Sequence, residues 1–127
     1  MEKQNDCLGS DTMKEQDVVV ITGKLVVRPG TEEEFIEKVK AYERSCRDHK
    51  GLLMHSIMQS FDEPNVFNYH EYWDSLENQR KHAEESPEKL AWVPIRDCYI
   101  TERKIERWHI LQRIVTERIH EIEWVEN

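Results

Sequence analysis

Between Asp17 and Arg28 the chain reads DVVVITGKLVVR, and from Val18 to Val27 both alternations are apolar. Valine and isoleucine carry two heavy atoms on Cβ and suit a pleated, buried strand. A strand that is apolar on both sides needs cover on both sides. Pro29 and Gly30 end the run, since proline cannot extend a ladder and glycine turns freely. The fold must therefore place helices of its own on one side of this strand and find something else for the other.

The segment after Gly30 supplies the first helix. Thr31 stands as its cap with Glu34 three residues on, the pattern of a capping box. Phe35, Ile36, Val39, Tyr42 and Cys46 recur at helical spacing. Glu32, Glu33 and Glu34 crowd the first turn and Arg47, His49 and Lys50 the last, as the helix dipole favours. Gly51 is placed to close this helix. Leu52 to Ser60 predicts a second strand, Phe61 to Asn65 (FDEPN) a turn, and Val66 to Trp73 a third strand, together a hairpin.

Asp74 with Glu77 predicts the cap of a second helix over roughly Ser75–Glu85, with a thin apolar stripe of Leu76 and Ala83 that lies shallow on the sheet. Ser86-Pro87-Glu88 starts a further short helix, and Pro94 predicts a break in it. Lys104 to Ile110 reads as the final strand. Ile105, Trp108, Leu111, Val115, Ile119 and Ile122 also line one helical face, and topology decides for the strand. The order β-α-β-β-α-(short α)-β is the ferredoxin-like α+β plan, an antiparallel sheet with helices on one face. The bare face, apolar as well, predicts a symmetric homodimer. The chain divides into a flexible polar tail (1–16), one domain (17–111) and an extension (112–127) that stays open between strand, swapped arm and helix.

Charge and cysteines narrow the function. Lys plus Arg number 18 against 26 Asp plus Glu, a net charge of −8, which argues against nucleic-acid binding. No apolar run approaches the ~20 residues of a membrane span, and the polar N-terminus lacks the apolar core of a secretory signal. Cys7, Cys46 and Cys98 are odd in number and widely spaced, which suits reduced thiols in a cytoplasmic protein and argues against a metal site.

Three pieces of the chain, taken in order, resemble the antibiotic biosynthesis monooxygenase family. They are Pro29-Gly30-Thr31-Glu32-Glu33-Glu34-Phe35 at the strand-to-helix junction, Lys50-Gly51 at the helix exit, and Glu71-Tyr72-Trp73 followed by His82. The resemblance covers about Val18 to Ile110. It implies a dimeric α/β barrel on the ferredoxin-like plan and a family range from quinol and aromatic oxygenases to haem-degrading enzymes and an isomerase. The haem-degrading branch would place Asn, Trp and His where this chain has Gly23, His82 and Trp92, which argues against haem. Quinol-type members often carry a second histidine near the Ser-Pro step, where this chain has Ser86-Pro87-Glu88.

The implied chemistry is oxygenation of small electron-rich aromatics (quinol, phenol or anthrone) with molecular oxygen as co-substrate and no cofactor. It needs a base near neutral pH, polar donors for the developing anion and an apolar box. The catalytic candidates are His82 as base or donor, Trp73 as a stacking wall and Tyr69 as holder of the substrate oxygen. Asn68, His70, Glu71 and His55 are the substrate-binding candidates. Strand alternation puts Val66, Asn68, His70 and Tyr72 on one face of the third strand, and Phe67, Tyr69, Glu71 and Trp73 on the other. His55 goes with Leu53, Ile57 and Gln59. Trp108 and Trp124 are candidate dimer anchors; Met54 and Met58 read as core filler. The alternative reading is a non-catalytic small-molecule-binding or stress-associated dimer of the same fold.

Overall fold

A computed structural model describes residues 13–124. Four strands, β1 (Val19–Val27), β2 (Leu52–Gln59), β3 (Val66–Trp73) and β4 (Ile100–His109), form one antiparallel sheet in the order β2-β3-β1-β4. The helices are α1 (Glu32–Ser45), α2 (Leu76–Glu85) and α3 (Pro87–Tyr99). This is the ferredoxin-like α+β fold. The single chain's sheet is open at β2 and β4 and does not close into a barrel.

Register fixes which side chains share a face. Ile21 lies opposite Glu71, Gly23 opposite Tyr69 and Leu25 opposite Phe67, while His55 on β2 also meets Glu71 and Ile57 meets Tyr69. This face takes the helices. Leu25, Val27, Phe67, Phe35, Val39 and Trp92 form its core, with the Phe35 and Phe67 rings 5.1 Å apart. Each such side chain contributes about 1.5–3 kcal/mol by leaving water. The opposite face carries Thr22, Lys24, Asn68, His70, Met54 and Met58, and β4 adds Trp108, whose indole N–H donates to Thr22 Oγ1 at 2.8 Å.

Several local expectations are corrected. Thr31 makes no side-chain cap; its hydroxyl donates to the Arg28 carbonyl, and Glu32 accepts from the Gly30 N–H. The first helix ends at Ser45, and Gly51 (φ 88°) instead lets the following turn re-enter the sheet. Ser75, not Asp74, caps α2 by accepting from the Asn78 N–H; Asp74 accepts from the Asn78 side-chain amide. The buried face of α2 is polar: Gln79 and His82 point inward while Leu76 is exposed.

The last helix is neither short nor broken. It runs 13 residues through Pro94. Pro94 lacks the N–H that would bond the Leu90 carbonyl, but both residues are exposed, so water can take that carbonyl. Strand β4 starts four residues earlier than Lys104. A register shift between Leu52 and Met54 turns Leu53 away from the His55 set. It lines an open-face cleft of about 400 Å³ with Met54, Tyr72, Ile110 and Val115. Met54 and Met58 are exposed on this open face rather than buried filler. Beyond β4 the described chain is irregular with one 3-10 turn (Glu117–Glu121), neither strand nor α-helix, and the Arg113 guanidinium lies 5.1 Å from the Tyr72 ring. Residues 1–12, most of the expected tail, lie outside the described residues.

Candidate functional site

The helix-covered face brings together five of the seven candidates: Trp73, Tyr69, Glu71 and His55 from the hairpin and His82 from α2. Asn68 and His70 do not join them, because strand alternation turns both to the face without helices.

Glu71 is the hub of the sheet side. It is 4% exposed. The Trp73 indole N–H donates to its Oε1 at 3.0 Å, and His55 Nε2 faces its Oε2 at 3.5 Å. Burial alone would raise this carboxyl; the pairing with His55 and the Trp73 hydrogen bond outweigh it and bring it down to about 2. A neutral imidazole that donates Nε2–H to this carboxylate keeps its lone pair on Nδ1. That Nδ1 is buried and has no hydrogen-bond partner among the described residues. His55 is thus an imidazole oriented by a carboxylate with its basic nitrogen free.

Around this dyad lies a small cavity. Its lining includes Tyr42, His55, Tyr69, Glu71, Lys89 and Arg96, and its volume is about 20 Å³, room for a water or a diatomic gas and not for a ring. The expected apolar box is therefore filled by its own side chains and lined by ionisable ones. The Tyr69 ring lies on Gly23, where a Cβ would stand 2.1 Å from Tyr69 Cε2. Trp92 stacks on Tyr42 at 4.9 Å and 9°. Burial pushes both phenols, Tyr42 and Tyr69, far above their ordinary range, so they are hydrogen-bond donors at neutral pH. Burial lowers the Lys89 ammonium and raises the Glu43 carboxyl. Lys89 and the 3%-exposed Arg96 bring positive charge to the lining.

A second cluster sits under α2. His82 is buried, with its ring 4.7 Å from that of Trp73. Its Nε2 bonds Tyr42 Oη at 3.1 Å and its Nδ1 bonds His49 Nδ1 at 3.0 Å. His49 Nε2 in turn meets Glu88 Oε1 at 3.0 Å. Burial brings His82 down to about 4; the Glu71 charge opposes the fall, and Lys89, His49 and His55 add to it. A backbone hydrogen bond, then His49, hold the Glu88 carboxyl below its usual range. Both His82 nitrogens are engaged, so it reaches the cavity only through Tyr42.

Sequence reasoning missed His49, Tyr42, Lys89 and Arg96 as site residues. His49 reads as a cation at a helix end, and its 33-residue separation from His82 leaves no local pattern. It provides a second histidine near Ser86-Pro87-Glu88 from a different part of the chain. Tyr42 was legible only as one more member of the α1 apolar stripe.

A family model described as antibiotic biosynthesis monooxygenase matches residues 18–94. Among curated proteins none matches the chain. A protein of Nitrosomonas europaea with the provisional name antibiotic biosynthesis monooxygenase superposes with a TM-score of 0.71 at 21% identity, over 79% of this chain and 96% of its own. A mutant of SnoaB, a cofactor-independent oxygenase from Streptomyces nogalater, gives 0.71 at 16% identity over 77% and 97%. A conserved protein from Methanosarcina mazei gives 0.70 at 17% over 75% and 94%. At these identities the likeness is one of fold. No helix among the described residues is long and apolar enough to cross a membrane.

Proposed function

The chain belongs to the antibiotic biosynthesis monooxygenase family, and from that premise we propose that it is a cofactor-independent monooxygenase for small electron-rich aromatics of phenol, quinol or anthrone type. The observation that carries this reading is His55: oriented through Nε2 by an ionised Glu71, buried, and with a free Nδ1. Such an imidazole is a general base in waiting. The base role passes from His82 to His55 because His82 has no free nitrogen.

The steps balance without a cofactor. His55 Nδ1 takes a proton from the substrate. The anion, held by the Tyr69 hydroxyl and by the charges of Lys89 and Arg96, gives electrons to O₂, and a carbon–oxygen bond forms as a peroxide. The proton returns from His55 to the outer peroxide oxygen. Loss of the remaining hydrogen from the carbon that bears the peroxide, with cleavage of the O–O bond, leaves a carbonyl and releases water. One oxygen atom ends in product and the other in water, and all electrons come from the substrate. Oriented donors of this kind act where charge develops.

The substrate ring enters only when Tyr69 swings off Gly23, since about 20 Å³ admits no ring. The small cavity also favours the second reading, a binding protein of this fold without chemistry. The bare sheet face, with exposed Met54, Met58 and Trp108, supports a homodimer in either case.

Oxygen uptake with a panel of quinols and anthrones separates the readings. Wild type turns over at least one, and His55→Gln lowers kcat by about 10²–10⁴-fold, the usual contribution of a general base. Turnover untouched by His55→Gln removes the assignment. No turnover with any substrate, with a ligand recovered from the purified protein, leaves the binding reading.

A further inference from the structure

We propose that Cys46, His49 and His82 form a Zn²⁺ site. Cys46 Sγ and one nitrogen of each histidine lie within 4.8 Å of one another. The elements that deliver them are rigid: Cys46 caps the end of α1, His49 follows in a turn fixed by its N–H to the Cys46 carbonyl at 2.9 Å, and His82 stands on the inward face of α2. Tetrahedral zinc holds nitrogens at about 2.0–2.1 Å and sulfur at about 2.3 Å, so its ligands stand about 3.3–3.7 Å apart. The two Nδ1 atoms, at 3.0 Å, part slightly, and the thiol closes by about an ångström.

The second set of partners fits the metal equally well. An imidazole that binds zinc through Nδ1 carries its proton on Nε2 and donates it. His49 Nε2 has Glu88 Oε1 at 3.0 Å, itself held by the Ser86 hydroxyl at 3.3 Å, and His82 Nε2 has Tyr42 Oη at 3.1 Å. Charge balances too: a Cys46 thiolate and the Glu88 carboxylate offset a divalent ion. Cys46 is 0% exposed, with Ser45 Oγ 3.8 Å from its Sγ. Thiolate with two imidazoles selects zinc over magnesium or calcium. Three protein ligands leave a fourth position, and an open cleft of about 370 Å³ lined by His49, Asn78, His82 and Ser86 gives the ion and a water access. The sequence spacing of these three residues follows no zinc motif, because two come from a helix end and the third from another helix.

The site does not rest on the oxygenase reading, and its test needs no substrate. Reduced, metal-stripped full-length protein is titrated with Zn²⁺ by calorimetry, and with Co²⁺ by absorption. The expected result is one Zn²⁺ per chain and a thiolate-to-cobalt charge-transfer band. Cys46→Ser removes that band. His49→Gln, at a side chain 20% exposed, weakens Zn²⁺ binding at least about tenfold, and Glu88→Gln by about 10–100-fold. Cys98→Ser, which alters an exposed thiol, changes nothing. Binding that survives both Cys46→Ser and His49→Gln, binding lost in Cys98→Ser, or no saturable uptake of Zn²⁺ overturns the proposal.

Discussion

Replacing Glu71 by glutamine tests the hub of the site through stability alone. Its carboxyl falls from an ordinary 4.5 to about 2 in the folded chain. Each unit is worth about 1.4 kcal/mol, so the ionised form stabilises the fold by about 3 kcal/mol. A carboxyl with a depressed folded-state pKa contributes fully above its unfolded value and loses that contribution as pH falls. The window here runs from about pH 4.5 down to about 2. Urea denaturation of wild type and Glu71→Gln at steps between pH 7 and pH 2 reads it directly. Groups that titrate alike in both proteins cancel in the difference. The wild type should exceed the variant by about 3 kcal/mol at pH 6, roughly 10 °C in Tm for a chain this size, and the gap should shrink steadily below pH 4.5. Parallel pH curves would mean that Glu71 gains nothing from His55 and Trp73 when ionised, and the oriented-imidazole argument would lose its foundation.

Gly23→Ala places a methyl 2.1 Å from Tyr69 Cε2, so it costs about 1–3 kcal/mol by overpacking; in a Tyr69→Ala background the same change should cost little, which a double-mutant cycle by urea denaturation checks. Ser75→Ala removes the cap that accepts from Asn78 N–H and lowers stability by about 1 kcal/mol, whereas Asp74→Ala lowers it less. Sedimentation at micromolar concentration should find a dimer that Trp108→Glu, at a half-exposed site on the bare face, converts to monomer; a wild-type monomer would rule the dimer out.

The strands and α1 were legible because their burial is apolar and periodic: β1 is rich in β-branched residues and Phe35, Ile36, Val39 and Tyr42 mark one stripe. The faces of β3 followed from alternation alone, which is why Glu71, Tyr69 and Trp73 fall together and Asn68 and His70 fall away. Hydrophobic periodicity failed where burial is polar. In α2 it sought Leu76 and Ala83, while the residues that face inward are Gln79 and His82. Proline rules failed at Pro94 because they do not know which side of a helix meets water. His49 was illegible for a third reason: its partners, His82 and Glu88, are 33 and 39 residues away, and only the packing of α1 against α3 and of α2 against α3 gathers them.

The polar interior is the feature that a stability argument alone does not explain. Replacing Gln79 and His82 with leucines would give α2 an ordinary apolar face and remove a buried amide oxygen that has no partner among the described residues. What the chain keeps instead is two clusters joined through one phenol. Tyr42 lines the cavity beside His55 and Glu71, and its hydroxyl bonds His82, which leads through His49 to Glu88 at the edge of the open cleft. An interior held together this way is costly wherever one member is lost, because the remainder stays desolvated. That cost is concentrated on residues able to move a proton or bind a soft metal, and the apolar core of Leu25, Val27, Phe35 and Phe67 carries the fold around them. On the proposed readings substrate chemistry lies on the sheet side of Tyr42 and an ion on the α2 side, so a zinc-bound His82, which must present Nε2–H to Tyr42, would reverse that hydrogen bond and turn the phenol's own proton toward a different acceptor.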